Sequence, residues 1–115
     1  MITDATAGAA AKPGIYQLGE MKLHLDHEPV VYNKETSRPA GSAVTLDQCV
    51  RNVMKWYNVS LDEAVSWAGI NPLQLLKSSN AYEINIENNN SVWWEENDGI
   101  WYVKASRSGT FLYES

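Results

Sequence analysis

A carboxylate set directly after a short β-compatible run, with small residues behind it, is placed to act at the end of a strand. Asp4 is such a residue: Met1-Ile2-Thr3 precedes it and Ala5-Thr6-Ala7-Gly8 follows. In β/α barrels, catalytic groups project from the C-terminal ends of the strands. Aspartate also opens turns and caps helices, so the pattern alone leaves a structural role standing beside the catalytic one. The other candidates read as structural. His24 and His27 lie on either side of Asp26. On a strand that spacing sends the two imidazoles to opposite faces, a poor start for chelation, and no metal ligand is assigned. Cys49 falls in the apolar stripe of a helix, the setting of an inert buried thiol. Ser42, in Ala40-Gly41-Ser42, lacks the G-x-S-x-G of a nucleophile elbow. Glu95-Glu96 adjoins Asn97-Asp98-Gly99 and reads as a solvated turn. The five tryptophans read as core or interface residues.

The elements that must position these residues follow from local pattern. Met21-Lys22-Leu23-His24-Leu25 alternates apolar with polar, the signature of a half-buried strand. Leu18-Gly19 and Asp26-His27-Glu28-Pro29 are turns on either side of it. Val30-Val31-Tyr32 is a second short strand, so the region reads as a hairpin or small β excursion. Residues 34–44 read as a polar loop. A helix starts at Thr45, with Gln48 at the capping-box position, and runs to Tyr57-Asn58. Its apolar stripe is Leu46, Cys49, Val50, Val53, Met54 and Tyr57. Ser60 and Glu63 form a second capping box. Gly69 ends that helix, and Asn71-Pro72 opens a third. Beyond Lys77, Tyr82–Ile86, Val92–Trp94, Ile100–Val103 and Thr110–Tyr113 read as short strands. Asn97-Asp98-Gly99 and Ser108-Gly109 supply hairpin turns.

Bulk properties narrow the classes. The chain has 115 residues, enough for one modest core. Hydrophobic residues make up 44% and charged residues 20%, a globular balance. A net charge of −5 and a pI near 4.9 disfavour nucleic acid and anionic lipid as partners. One cysteine makes no internal disulfide, which fits a reducing compartment. No stretch is long and apolar enough to span a bilayer, and the N-terminus lacks the form of a signal peptide. The expectation is a soluble cytoplasmic protein.

Five ordered segments resemble one family. Ile2-Thr3-Asp4-Ala5-Thr6 resembles the V/I-T-D-A stretch at the last barrel strand of the N-acetylglucosamine-6-phosphate deacetylases. Pro13-Gly14-Ile15-Tyr16-Gln17-Leu18-Gly19 is similar to their P-D-G-x-Y-x-L-G segment. Ala40-Gly41-Ser42, then Thr45-Leu46-Asp47 and Val50-Arg51-Asn52, look like L-A-G-S and T-M-D-x-x-V-R-N. Ser60-Leu61-Asp62-Glu63-Ala64 and Asn71-Pro72 with Leu75-Leu76 resemble the S-L-E-E-A and N-P-A-x-L-L-G helices. The resemblance implies an amidohydrolase that removes the acetyl group of an amino sugar phosphate. It implies a divalent metal that polarises the amide and activates water. It implies that Asp4 takes the water's proton and passes it to the leaving amine, and that Ala40, Gly41 and Ser42 lie against the substrate. The implied fold is α/β, the C-terminal fragment of a metal-dependent hydrolase β/α barrel (last strand and following helices) with a small antiparallel β tail. Residues 1–77 would belong to the barrel domain and 78–115 to a remnant of the accessory β domain.

The departures shape the expected function. The family's metal ligands are a glutamate and histidines on earlier barrel strands, and this chain matches none of them. The family's G-x-I-x-x-G-x-D-A-D-x-V segment is degraded after Lys77. Met1 reads as the end of a strand whose body is missing, as in a truncated gene or partial gene model. The chain alone is expected to bind no metal and to be inactive. An alternative is a non-catalytic binding module, associating with itself or with a full-length homologue through its apolar helical stripes.

Overall fold

The computed structural model describes residues 1–78 and 90–114, so the strand expected at Tyr82–Ile86 lies outside the described residues. The chain forms two compact units, Met1–Asn52 and Val53–Ser115.

The first unit is a β-meander. Strands β1 (Gly14–Leu18), β2 (Met21–Leu25), β3 (Val30–Asn33) and β4 (Pro39–Ser42) pair antiparallel in chain order. The alternation read in β2 is realised. Leu23 and Leu25 are buried with Val31, while His24 between them stays half-exposed. Tyr16, Ala40 and Ala43 close around these three side chains. Residues 7–10 turn back over the sheet, and a Cβ on buried Gly8 would stand 3.3 Å from Leu25. Several expectations need correction. The segment 34–44 is not all loop, because Pro39–Ser42 pairs with β3 through an irregular register between Val30 and Tyr32. β1 was not foreseen, because Gly14–Leu18 lacks clean alternation. It is held by five register pairs with β2. Met1–Asp4 forms no strand of its own. Ala5 makes one isolated parallel bridge to Ser42.

Helix α1 (Leu46–Tyr57) spans the expected residues. Arg51 ties its first turn to Asp47 at 2.8 Å and donates to Gln48 at 3.0 Å. Burial works to raise the Asp47 carboxyl. Hydrogen bonds from Thr45 and Arg51, together with the Arg51 charge, outweigh it and hold the group below its ordinary value.

In the second unit, α2 (Leu61–Val65) carries the expected capping box. Ser60 Oγ accepts from the Glu63 amide, and the Glu63 carboxylate accepts from the Ser60 amide. Gly69 does not stop the chain. Residues Ser66–Ile70 form a π-helical turn that leads directly into α3 (Asn71–Ser78). Pro72 has no N–H to donate, and its ring would crowd the carbonyl four residues back. The wider turn, closed by the Asn71 amide on Ser66 O, accommodates it. Strands β5 (Ser91–Asn97), β6 (Ile100–Ser108) and β7 (Phe111–Glu114) form a three-stranded antiparallel sheet. Its turns are the ones read from sequence. Asp98 and Gly99 both have positive φ, at 51° and 78°, as a two-residue hairpin of the right twist requires. The two small antiparallel sheets and few helices are compatible with a piece of a larger enzyme. Among the described residues, no helix is long and apolar enough to cross a membrane.

Two stability predictions follow from this packing. Leu23→Ala should cost about 2–5 kcal/mol, because few neighbours can collapse into the space. Chemical denaturation followed by amide exchange of β2 and β3 would read it. Asp47→Asn should lower stability at neutral pH. The Asp47 contribution is present above its unfolded pKa and is lost as pH falls through the lower folded value. The two proteins should therefore converge in acid. A gap that persists in acid would assign the effect to packing instead.

Candidate functional site

The end of β4 is a place of close backbone approach. Gly41 has φ +114°, and a Cβ there would stand 2.5 Å from Thr6 Cγ2 and 2.9 Å from Asp4 O. Only glycine fits. The absent side chain lets the segment 3–6 lie along residues 41–43. The Ser42 amide donates to Asp4 O at 2.8 Å, and the Thr6 amide donates to Ser42 O at 2.9 Å. These two bonds straddle the parallel bridge between Ala5 and Ser42. The hydroxyls extend the network. Ser42 Oγ donates to Thr3 O and accepts from the Val44 amide at 3.3 Å. Thr6 Oγ1 donates to Ser42 O at 3.3 Å, and Thr3 Oγ1 accepts from the Ala5 amide at 3.2 Å.

Asp4 sits in the middle of this network with φ 51°. Aspartate tolerates that left-handed backbone better than most residues. Its carboxylate is exposed, and its Oδ2 lies 3.8 Å from the point where a Gly41 Cβ would stand. The structure thus brings Asp4 together with Gly41 and Ser42 across 36 or more residues of chain, and Ala40 precedes them in the same strand. An accessible carboxylate on a braced backbone, beside a position with no side chain, can exchange a proton with a small molecule held there. Thr3 and Thr6 were not singled out from sequence. Two hydroxyl residues on either side of the aspartate were the available signal, since such residues bond nearby backbone.

The remaining candidates lie apart from this corner or are inert. His24 Nε2 is 3.2 Å from Asp26 Oδ1, while His27 lies exposed in the bend before β3. Among the described residues, no group of three or more His, Cys, Asp or Glu comes together in a way that could hold a metal ion. Burial, and then the Asp47 charge, push the Cys49 thiol up, so it stays protonated and weakly nucleophilic at neutral pH. Glu95 lies 3.5 Å from Lys104 across the β5–β6 pair, an exposed ion pair and not an acid–base dyad with Glu96.

Gly41→Ala should destabilise the corner by about 1–3 kcal/mol through left-handed strain and contact. Removing the Thr6 methyl in Gly41→Ala/Thr6→Ser should not restore it, because the Asp4 carbonyl stays in the way. Full recovery in the double variant, read by thermal unfolding, would place the whole constraint on the Thr6 side chain.

Comparison with known proteins gives this geometry a context. No family model matches the chain. The chain is similar to N-acetylglucosamine-6-phosphate deacetylases from three organisms. It is 34% identical to that of Lysinibacillus sphaericus over 80 residues, which is 70% of this chain and 20% of the relative. It is 33% identical to that of Vibrio furnissii over 76 residues, 66% of this chain and 18% of the relative. It is 29% identical to that of Danio rerio, again over 76 residues, 66% of this chain and 19% of the relative. The matched part therefore spans about a fifth of the length of these curated relatives.

Proposed function

We propose that this chain, N-acetylglucosamine-6-phosphate deacetylase-like over some two thirds of its length, is a C-terminal segment of such a hydrolase. In this reading it supplies the proton-transfer corner of the site. The observation that supports it most is the convergence of Asp4 with Gly41 and Ser42. Residues resembling two separated family motifs share one hydrogen-bonded corner. Asp4 accepts a proton from the attacking water and returns it to the leaving amine of an amino sugar phosphate. The 40–42 stretch, Ala40, Gly41 and Ser42, lies against the substrate, where the missing Gly41 side chain allows close approach. Residues 1–77 derive from the last strand and following helices of a β/α barrel, and 78–115 from a small accessory β domain.

The divalent ion used by the family would be held by residues other than these, since the donors among the described residues form no suitable set. The chain by itself is therefore inactive in this reading. It takes no nucleic acid and no membrane as partner, in keeping with its acidic balance. Its single cysteine accords with the cytoplasm.

Association is the second part of the proposal, and a specific observation favours it. Trp56, Tyr57, Ile70 and Leu75 are each half or more exposed on helical segments, more apolar surface than a solvated helix face needs. A full-length homologue, or a second copy, would cover them.

The test is complementation. The purified chain alone, with N-acetylglucosamine 6-phosphate and divalent metals, should release no acetate. Mixed with a bacterial relative lacking its matching segment, it should form a complex by light scattering and restore metal-dependent release. Turnover by the isolated chain that Asp4→Asn abolishes would overturn the predicted inactivity. A monodisperse monomer that never joins the truncated relative would overturn the association.

A further inference from the structure

We propose that Ser42 is a positioning residue for Asp4, with its hydroxyl directed into the protein and Thr6 as its partner. This rests on reading Asp4 as the proton carrier, but its geometry stands on separate observations. The Ser42 hydroxyl is engaged on both sides. It donates to Thr3 O and accepts from the Val44 amide. It therefore joins the residue before Asp4 to the residue that follows β4 by two. The Ser42 backbone is engaged as well, since its amide donates to Asp4 O and its carbonyl accepts from the amide and hydroxyl of Thr6. One residue thus bonds to Thr3, Asp4 and Thr6, and so brackets the aspartate on both sides.

The bracket matters because Asp4 has φ 51°. A non-glycine residue stays in that region only where its surroundings over-determine it. The bond from the Ser42 hydroxyl to Thr3 O crosses from β4 on the Thr3 side of Asp4. Removing the Ser42 hydroxyl takes away the bond to Thr3 O, on the opposite side of Asp4 from the Thr6 bonds. The Asp4 backbone is then free to relax toward negative φ and swing its carboxylate away from Gly41. Thr6 contributes differently. Its methyl occupies the space beside Gly41, while its amide supplies the shorter of its two bonds to Ser42 O. Thr6→Val keeps the methyl and the amide and should be tolerated.

Nuclear magnetic resonance on the whole chain tests this without any activity. A strong amide-to-Hα cross-peak within Asp4 marks its positive φ. In Ser42→Ala that peak should weaken, and the amides of Ala5 and Thr6 should exchange about tenfold faster. The methyl spectra of Leu23 and Val31 should not move. Ser42→Thr, which keeps the hydroxyl, should preserve the wild-type signature, as should Thr6→Val. The proposal fails if Ser42→Ala leaves the Asp4 peak intact, or if Ser42→Thr loses it as well. Collapse of the Leu23 and Val31 methyl signals along with it would also overturn the proposal, by making Ser42 a general support of the fold. Because acetate release is not the readout, the positioning claim can fail while the deacetylase reading survives, and the reverse.

Discussion

The close approach of two backbones at Gly41 is the constraint on which the corner between residues 3–6 and β4 depends. A side chain there would collide with Thr6 and with the carbonyl of Asp4. Without one, residues 3–6 lie beside the end of β4 and exchange hydrogen bonds with Ser42. The sheet itself is held elsewhere, by Leu23, Leu25 and Val31. This division separates two jobs. Apolar burial in β2 and β3 makes a platform, and polar bonding at its edge holds the Asp4 backbone against it. Sites built on rigid elements keep their geometry better than sites on free loops.

The second unit is organised by local signals more than by burial. A capping box starts α2, a π turn carries the helix past Pro72, and an Asp-Gly turn registers β5 on β6. Among its described residues only Ala64 is buried among the core side chains, while aromatic groups such as Phe111 and Tyr113 stay exposed. Arg107 lies over the Trp93 ring at 5.9 Å and covers part of that sheet's apolar surface. Described residues with so little buried apolar area gain little from packing, which accords with the proposal that a larger partner covers them.

Much of this was readable from the residues where the signal was local. The alternation of Met21–Leu25, the span of α1, the capping box at Ser60 and the turns at Asp98-Gly99 and Gly109 are all realised, whereas of the α1 stripe only Val50 is buried and Leu46 and Tyr57 stay exposed. What escaped depended on partners distant in sequence. Pro39–Ser42 contains proline, alanine, glycine and serine, none of them a strand former, and becomes a strand because β3 and the segment 3–6 offer it hydrogen bonds. Gly69 read as a helix stop because glycine commonly is one, yet the helix continues through a widened turn. The site was legible only in part. Pattern gave Asp4 a divided reading, and its link to Ala40, Gly41 and Ser42 came from family resemblance. The bonds that join Ser42 to Thr3 O and to Thr6 are tertiary, and no periodicity encodes them.

The central claim is that Asp4 is the proton carrier of a deacetylase-type site. The most direct measurement is steady-state kinetics on a fused protein. In it, residues 1–77 replace the matching segment of a bacterial relative. With Asp4 in place the fusion should hydrolyse N-acetylglucosamine 6-phosphate. Asp4→Asn should lower kcat by about 10²–10⁴-fold with KM nearly unchanged. An active fusion whose kcat is indifferent to Asp4→Asn would contradict the account.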